Sequence, residues 1–192
     1  MRVIAGRFKN RSLQSIKGAW LRPTTDRTRE FIFSWLGNLV PEARVLDLFA
    51  GTGGLGIEAL SRDAAAATFV DSAAAACALI KRNLGALGIT AAIYHMEARA
   101  FLTRASRTHQ QYDLIFCDPP YAQQEFAGLL HQTREGHLLA AGGLVIYEAS
   151  ARETLPCPEF WRLRKEKVMG DTRILFLELK DAEENSDLPG IV

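Results

Sequence analysis

Apolar and polar positions alternate along this chain in a way that predicts strands and helices in turn from residue 43 onward. Short apolar runs of strand length occur at residues 44–48, 67–71, 91–95, 112–117 and 144–148. Longer segments with apolar residues at helical spacing lie between them. This alternation is typical of βαβ units, so we predict an α/β fold with a mostly parallel sheet and helices on both faces.

The spacing also predicts how individual elements end. Residues 73–87 carry apolar side chains at near-helical spacing, and Gly88 supplies a stop signal after them. Residues 162–169 and 173–179 flank Gly170-Asp171 and predict a β-hairpin. That hairpin would complete a seven-stranded sheet whose last strand is antiparallel.

Two small elements are predicted ahead of the α/β body. Residues 3–5 and 12–14 favour a short basic hairpin. A helix capped by Thr25 or Asp26 follows it. Its expected apolar stripe consists of Phe31, Ile32, Trp35, Leu36 and Leu39.

The charge is unevenly distributed, although the net charge of the 192 residues is only +1. Residues 1–30 hold eight basic and two acidic residues, whereas residues 181–192 hold four acidic residues and no Lys or Arg. A basic segment of this kind favours contact with a polyanion. We predict one domain over residues 1–180, made of a basic extension (1–40) and an α/β body (41–180), and a disordered acidic tail (181–192).

Cysteine usage and hydropathy indicate the cellular compartment in which we expect the protein. The three cysteines lack C-x-x-C spacing, so neither a disulfide framework nor a metal site is predicted. Long apolar runs and a signal-peptide pattern are also missing from the sequence. We therefore expect a cytoplasmic protein that does not enter a membrane.

A glycine-rich turn follows the first predicted strand. Gly51, Gly53 and Gly56 have the G-x-G-x-x-G spacing that lets a backbone approach a nucleotide, and Asp71 ends the next strand, where it can accept hydrogen bonds from ribose. Dinucleotide sites and S-adenosylmethionine sites share these features. Asp47 favours the second, because a carboxylate would repel pyrophosphate but can serve the cationic end of S-adenosylmethionine. The plainer alternative is that Asp47 only caps the turn.

Four acidic residues lie at or just after the ends of successive predicted strands. They are Asp47, Asp71, Glu97 and Asp118. Ligands of open α/β sheets bind beyond the carboxyl ends of the strands. We therefore expect one crevice to collect all four, with Glu97 towards the adenine side.

The tetrapeptide Asp118-Pro119-Pro120-Tyr121 follows a buried strand and predicts a catalytic loop. Its prolines carry no backbone N–H, so the loop offers carbonyl acceptors and few donors. A carboxylate, a proline carbonyl and an aromatic ring can together hold and stack a nucleobase amino group. The plainer interpretation is a strand that ends in a proline turn.

Taken together, residues 47–53 (DLFAGTG) and 118–121 (DPPY) resemble the class I methyltransferases, specifically the RsmD-type 16S rRNA guanine-N2 methyltransferases. Residues 2–7, 21–27 and 170–172 are also similar to segments of that family, so the resemblance spans about residues 1–180. It implies a Rossmann-like fold, S-adenosylmethionine as cofactor, and methyl transfer to the N2 of a guanine of the 966 type in 16S rRNA. It also implies a monomer that acts on small-subunit rRNA in an assembled ribosomal particle.

The resemblance and the crevice together assign roles to individual residues. Catalysis is assigned to Asp118, Pro119 and Tyr121. Cofactor binding is assigned to Asp47, Ala50, Gly51, Thr52, Gly53, Asp71, Ser72, Glu97 and Ala98. RNA binding is assigned to Arg7, Lys9, Arg11, Arg22, Thr24, Thr25 and Arg27.

Other functions remain open at this point. The acceptor could be an adenine N6 in DNA or RNA, or a protein glutamine, although the loops of those enzymes more often resemble Asn-Pro-Pro-Tyr. An NAD-dependent oxidoreductase would explain the glycines but leave Asp47 and the two prolines without a role. A non-catalytic RNA-binding module would bind RNA and transfer no methyl group.

Overall fold

The computed structural model describes residues 1–15, 25–120 and 122–180, and the described strands form one seven-stranded sheet. The strands are β1 (Arg44–Leu48), β2 (Ala66–Asp71), β3 (Ala92–His95), β4 (Tyr112–Cys117), β5 (Leu139–Ser150), β6 (Trp161–Met169) and β7 (Thr172–Leu179). Their order is β3-β2-β1-β4-β5-β7-β6, and among these seven strands β7 alone runs opposite to the other six. The predicted sheet with an antiparallel last strand is confirmed.

Five helices cover both faces of the sheet in the described part of the chain. They are α1 (Asp26–Leu36), α2 (Gly54–Ser61), α3 (Ala74–Leu87), α4 (Ala98–Arg107) and α5 (Ala122–Glu135). Buried side chains of α1, α2 and α3 form the core on one face, and those of α4 and α5 form the core on the other. Among these helices, none is long and apolar enough to cross a membrane.

The strand predictions are accurate in the parallel part of the sheet and too short in one place. β1 and β4 have the predicted bounds, whereas β5 extends beyond residues 144–148 at both ends. Gly142 and Gly143 interrupt the apolar run, and Gly142 has a φ of 73°. The pairing of β4 with β5 absorbs this interruption as a register shift between Tyr112 and Leu114. The break in the sequence pattern is therefore a bulge.

The predicted apolar stripe of α1 is wrong at one position. Leu39 is 49% exposed and lies in a 3-10 turn after the helix, because Gly37 adopts a φ of 48° and ends α1. Phe33, which the stripe omitted, is buried against Phe116 of β4. Thr25 caps the helix by accepting a hydrogen bond from the Thr28 N–H at 3.1 Å.

The N-terminal arm, residues 1–15, is a hairpin in a different register from the predicted one. Arg2 bridges Ser12, and the Val3 N–H donates to the Arg11 carbonyl at 3.0 Å. The predicted pairing of residues 3–5 with 12–14 is wrong because the N–H groups of residues 4 and 5 donate instead to the buried carboxylate of Glu58, at 2.8 and 3.0 Å.

The tip of the arm is attached to the C-terminal end of α2. Ser61 accepts hydrogen bonds there from the Arg7 N–H at its carbonyl (2.8 Å) and from the Phe8 N–H at its Oγ (3.0 Å). Gly6 makes this approach possible, since it has a φ of 78° and a Cβ there would lie 1.7 Å from the Ser61 carbonyl oxygen. The arm therefore lies along the whole of α2.

Candidate active site

The strand order reverses between β1 and β4, and this switch point is where a ligand crevice forms in open α/β sheets. β2 lies on one side of β1 and β4 on the other. Asp71 at the end of β2 and Asp118 directly after β4 therefore flank Asp47 of β1. The tertiary fold brings together three of the four carboxylates predicted to meet.

Asp47 lies within β1 and is only 2% exposed. Its Oδ2 accepts a hydrogen bond from the Gly56 N–H at 2.8 Å, which satisfies a donor in the first turn of α2. Burial raises the pKa of Asp47 to about 8 despite this hydrogen bond, and the charges of Asp118 and Asp71 contribute to the rise. A cation placed among these carboxylates would favour the ionised form of Asp47.

The glycine turn, residues 49–53, links β1 to α2 through backbone that runs repeatedly at positive φ. Phe49, Gly51 and Gly53 have φ angles of 59°, 54° and 77°. Glycine adopts this conformation freely, whereas Phe49 does so at a cost of roughly 1–3 kcal/mol. Strain of this kind on a non-glycine residue is typical of functional sites.

The three glycines of the motif have two different roles. A Cβ at Gly51 would meet only the Phe49 carbonyl, at 3.9 Å, so Gly51 faces open space. A Cβ at Gly53 would lie 3.3 Å from the Phe69 ring, and one at Gly56 would lie 2.3 Å from it. Gly51 is therefore where a ligand can approach the backbone, while Gly53 and Gly56 let α2 pack closely on the sheet.

Asp71 holds the glycine turn and its own loop together. Its Oδ2 accepts from the Gly51 N–H and its Oδ1 from the Ala73 N–H, both at 2.8 Å. The carbonyl of Ser72 is 3.0 Å from the Nε2 of His95. Each carboxylate oxygen can accept a second hydrogen bond, so contact with a ribose stays a prediction.

Glu97 lies at the same edge of the sheet but further out. Its exposed side chain precedes α4, and its carbonyl accepts from the Phe101 N–H at 3.0 Å. Ala98 begins α4 and is buried. The Met96 N–H donates to the Asp71 carbonyl at 3.0 Å, which ties the end of β3 to that of β2. Adenine contact by Glu97 also stays a prediction.

The double-proline loop begins where β4 ends. Asp118 is half-buried, Pro119 is buried and Pro120 is exposed, whereas Tyr121 lies outside the described residues. Burial raises the pKa of the preceding Cys117 thiol, and the charges of Asp47 and Asp118 raise it further. A thiolate nucleophile is therefore disfavoured, which agrees with the reading of this segment as an acceptor loop.

The candidate RNA contacts within the described residues are spread over the face that carries the arm. Arg7, Lys9, Arg11 and Arg27 are exposed. Arg7 and Lys9 lie near the C-terminal end of α2, which at eight residues is about 12 Å long, so they are well separated from the glycine turn. Arg22 and Thr24 lie outside the described residues.

Comparison with known proteins identifies the family. A family model described as "Conserved hypothetical protein 95", which corresponds to the RsmD-type methyltransferases, matches residues 1–178. The chain belongs to this family. The resemblance inferred from the motifs is thereby confirmed.

Individual relatives of this RsmD-family chain agree with it in sequence and in fold. Ribosomal RNA small subunit methyltransferase D of Escherichia coli K12 is 35% identical over 193 residues, a match that covers 97% of this chain and 93% of the relative. The solved Escherichia coli protein yhhF has a TM-score of 0.83 and 34% identity, covering 94% and 98% of the two chains. A SAM dependent methyltransferase from Agrobacterium tumefaciens shares the fold, with a TM-score of 0.56 at 24% identity over 66% of this chain and 46% of that one. This chain is therefore a methyltransferase with the class I fold.

Sequence reasoning missed two buried polar residues that organise the site of this RsmD-family chain. Asn83 bonds to the glycine turn and to the arm, whereas Glu58 bonds to the arm and to Arg62. A signal was present for Asn83, because it falls at helical spacing from Ala76 and Ile80, on the apolar face of α3. A polar residue on such a face must find hydrogen-bonding partners inside the protein.

Proposed function

We propose that this protein transfers a methyl group from S-adenosylmethionine to the exocyclic N2 of a guanine in 16S rRNA of the small ribosomal subunit. The observation that carries this proposal is the position of Asp118 and Pro119 at the switch point, beside the buried carboxyl group of Asp47. The Escherichia coli relative, named as a small-subunit rRNA methyltransferase, supports the same substrate class.

The crevice suits a cationic nucleotide cofactor. Asp47 is a buried carboxyl group whose pKa is raised to about 8 by burial and by acidic neighbours, so a positively charged ligand gains more here than a neutral one. The open side of Gly51 leaves room for such a ligand next to Asp71. When bound, S-adenosylmethionine supplies a methyl group activated by its sulfonium charge.

The acceptor loop suits an amino group. Neither Pro119 nor Pro120 has an N–H, so the loop offers the carboxylate of Asp118 and the carbonyl of Pro119 as acceptors for the two hydrogens of an –NH2 group. Two such bonds would hold the nitrogen lone pair towards the cofactor side of the crevice. Positioning of this type can lower a reaction barrier by about 7–11 kcal/mol. Asp118 would also receive the proton that the nitrogen loses after methyl transfer.

The substrate is larger than a single base. The exposed cations of the arm and of α1 lie on one face of the protein and suit a run of RNA phosphates. A target base must leave its stack to reach the loop, at a cost of a few kcal/mol, and stacking on Tyr121 would offset about 1–3 kcal/mol of that cost.

The test is transfer of labelled methyl groups to small ribosomal particles that lack the modification, followed by mapping of the modified nucleotide. The intact protein should label one guanine at N2, and Asp118→Ala should reduce the rate at least about 100-fold while S-adenosylhomocysteine binding by calorimetry persists. Asp113→Ala is the matched control, since Asp113 lies near the other end of β4 and pairs with Arg44 at the surface.

Each of the other results excludes part of the proposal. Methyl label on an adenine or on a ribosomal protein would show that the acceptor is not a guanine. Binding of RNA without label would leave a non-catalytic module, and thermal stabilisation by NAD but not by S-adenosylhomocysteine would indicate an oxidoreductase. Full activity of Asp118→Ala would remove Asp118 from the mechanism.

A further inference from the structure

Asn83 of α3 connects two parts of the protein that are remote in sequence. It is 1% exposed, and its Nδ2 donates to the Thr52 carbonyl at 3.0 Å. The same side chain pairs with the backbone of Gln14 in the arm: its Oδ1 accepts from the Gln14 N–H at 2.8 Å, and its Nδ2 donates to the Gln14 carbonyl at 3.2 Å. One buried amide thus bonds to the arm and to the glycine turn at once.

The bond to Thr52 is a second side-chain hydrogen bond to the glycine turn, in addition to that of Asp71. Asp71, at the end of β2, fixes the turn through the Gly51 N–H. Asn83 fixes the next residue through its carbonyl, from the helix that follows β2. The turn also has an internal bond from the Gly53 N–H to the Ala50 carbonyl at 2.7 Å. Loss of Asn83 would therefore release one of the hydrogen bonds that tie this strained segment to the rest of the protein, which also include the bond from the Ala50 N–H to the Val70 carbonyl at 3.1 Å.

The arm also contacts the turn directly, where the Thr52 Oγ1 donates to the Sδ of Met1 at 3.7 Å, but its attachments at Glu58 and Ser61 lie along α2 and away from the turn. Glu58 and Ser61 hold residues 4–8 along α2, and both lie within that helix beyond its first turn. Gln14, in contrast, stands shortly before residues 16–24, which include the predicted RNA contacts Arg22 and Thr24. Asn83 is the described side chain that hydrogen-bonds both the arm at this point and the glycine turn.

We propose that Asn83 is a positioning residue that makes the N-terminal arm part of the cofactor site, by coupling the backbone of Gln14 to the Thr52 carbonyl. The proposal rests on the proposed function only for the identity of the cofactor. It implies that cofactor bound at the turn strengthens the attachment of the arm at Gln14, and that a loosened arm weakens cofactor binding by the same factor.

The first experiment compares Asn83→Ala with Ser61→Ala by calorimetry with S-adenosylhomocysteine. Both changes remove buried hydrogen bonds to the arm, so both should lower the melting temperature. Asn83→Ala should weaken S-adenosylhomocysteine binding at least tenfold, and Ser61→Ala should change it less than twofold. Equal effects of the two variants on affinity, or no effect of Asn83→Ala, would overturn the proposal.

The second experiment needs no substitution and therefore does not depend on a variant that folds. In the intact protein, NMR exchange of the Gln14 amide should slow at least fivefold on saturation with S-adenosylhomocysteine. Exchange of the Arg7 amide, which donates to Ser61, should slow by a smaller factor. Equal slowing of the two amides would contradict the coupling, whereas failure of the intact protein to bind S-adenosylhomocysteine would instead contradict the proposed function.

Discussion

Two buried carboxyl groups contact α2, Asp47 of β1 at its N-terminal end and Glu58 in its C-terminal half, and the surroundings of the two differ. Glu58, which is 0% exposed, accepts from the N–H groups of residues 4 and 5 and from the Nε of Arg62 at 2.9 Å. Asp47, almost as buried, accepts from one N–H and stands beside two further carboxylates. One carboxylate is fully compensated within the fold, and the other is surrounded by charge of its own sign.

This difference indicates that Glu58 has a structural role and that Asp47 has a role in ligand binding. A buried charge with a cation and several donors is stabilised by what is already present, so it has little to gain from a ligand. Asp47 gains when a cation arrives, because its own surroundings disfavour its charge. The N-terminal end of α2, where Asp47 has unfavourable electrostatics, is therefore the end suited to binding a cationic ligand.

Backbone strain follows the same division. At the C-terminal end of α2 the positive φ required for close approach falls on Gly6, where it is tolerated. At the N-terminal end a positive φ falls on Phe49, where it costs energy. Asp63, just after α2, also has a positive φ of 68°, but aspartate adopts this conformation more readily than phenylalanine does.

Removal of the Glu58 carboxylate, which is fully hydrogen-bonded within the fold, should have the largest effect on stability. Glu58→Ala leaves two buried N–H groups and the Arg62 guanidinium without their partner, so we expect the free energy of unfolding to fall by about 3 kcal/mol in urea denaturation. Glu58→Gln keeps a carbonyl acceptor and should cost clearly less. A loss below about 1 kcal/mol for Glu58→Ala would mean that the arm is attached mainly by its apolar residues.

Replacement of the other carboxylate should act on pH dependence and binding. Because the pKa of Asp47 is raised from 3.8 to about 8, its neutral form stabilises the fold, and that contribution is complete below pH 3.8 and lost as pH rises through 8. The melting temperature of Asp47→Asn relative to the intact protein should therefore increase between about pH 4 and 8 and then level off. Asp113→Asn, a surface variant, should show no such increase over the upper part of this range.

Cofactor affinity provides the second measurement on Asp47→Asn. Ionisation of Asp47 favours a cationic ligand, so S-adenosylmethionine affinity of the intact protein should rise as pH approaches 8. The Asn variant should lack this rise and bind about tenfold more weakly at pH 8.5, which corresponds to about one pKa unit of lost interaction. Parallel pH profiles for the two proteins would show that Asp47 only caps α2.

We expect the smallest effect from substitutions of the arm cations near the C-terminal end of α2. Arg7→Gln and Lys9→Gln should each reduce the log-salt slope of RNA binding by about 0.7–0.9, with little change in the melting temperature. Arg107→Gln, on the opposite face at the end of α4, should leave the slope unchanged. An unchanged slope for the double arm variant would place the RNA elsewhere on the surface.

Much of the fold was predictable because its signals are local. The bounds of β1 and β4 and the stop at Gly88 follow from apolar runs and a glycine that adopts φ of 70°. Errors had two causes, a distant segment that competes for the backbone and a helix that ends before its apolar pattern does. The arm took another register because Glu58 binds two of its N–H groups, and Leu39 left its stripe because Gly37 ended the helix early.

The features of the candidate site also fall into those that local sequence predicts and those that depend on tertiary packing. The position of Asp118 after a buried strand, and of Asp71 after the next strand along from the glycine turn, could be inferred from spacing. The capping bond of Asp47, the three hydrogen bonds of Asn83 and the left-handed Phe49 could not, since each depends on which segments pack together.

By itself the sequence determined the order of strands and helices and the chemical groups that stand at the strand ends, because those features depend on residues close together in the chain. Tertiary structure decided that β2 and β4 flank β1, that Asp47 is buried between two other carboxylates, and that the arm joins the glycine turn through Asn83. Burial and strand pairing arise from long-range contacts, and these set the electrostatics on which the proposed chemistry depends.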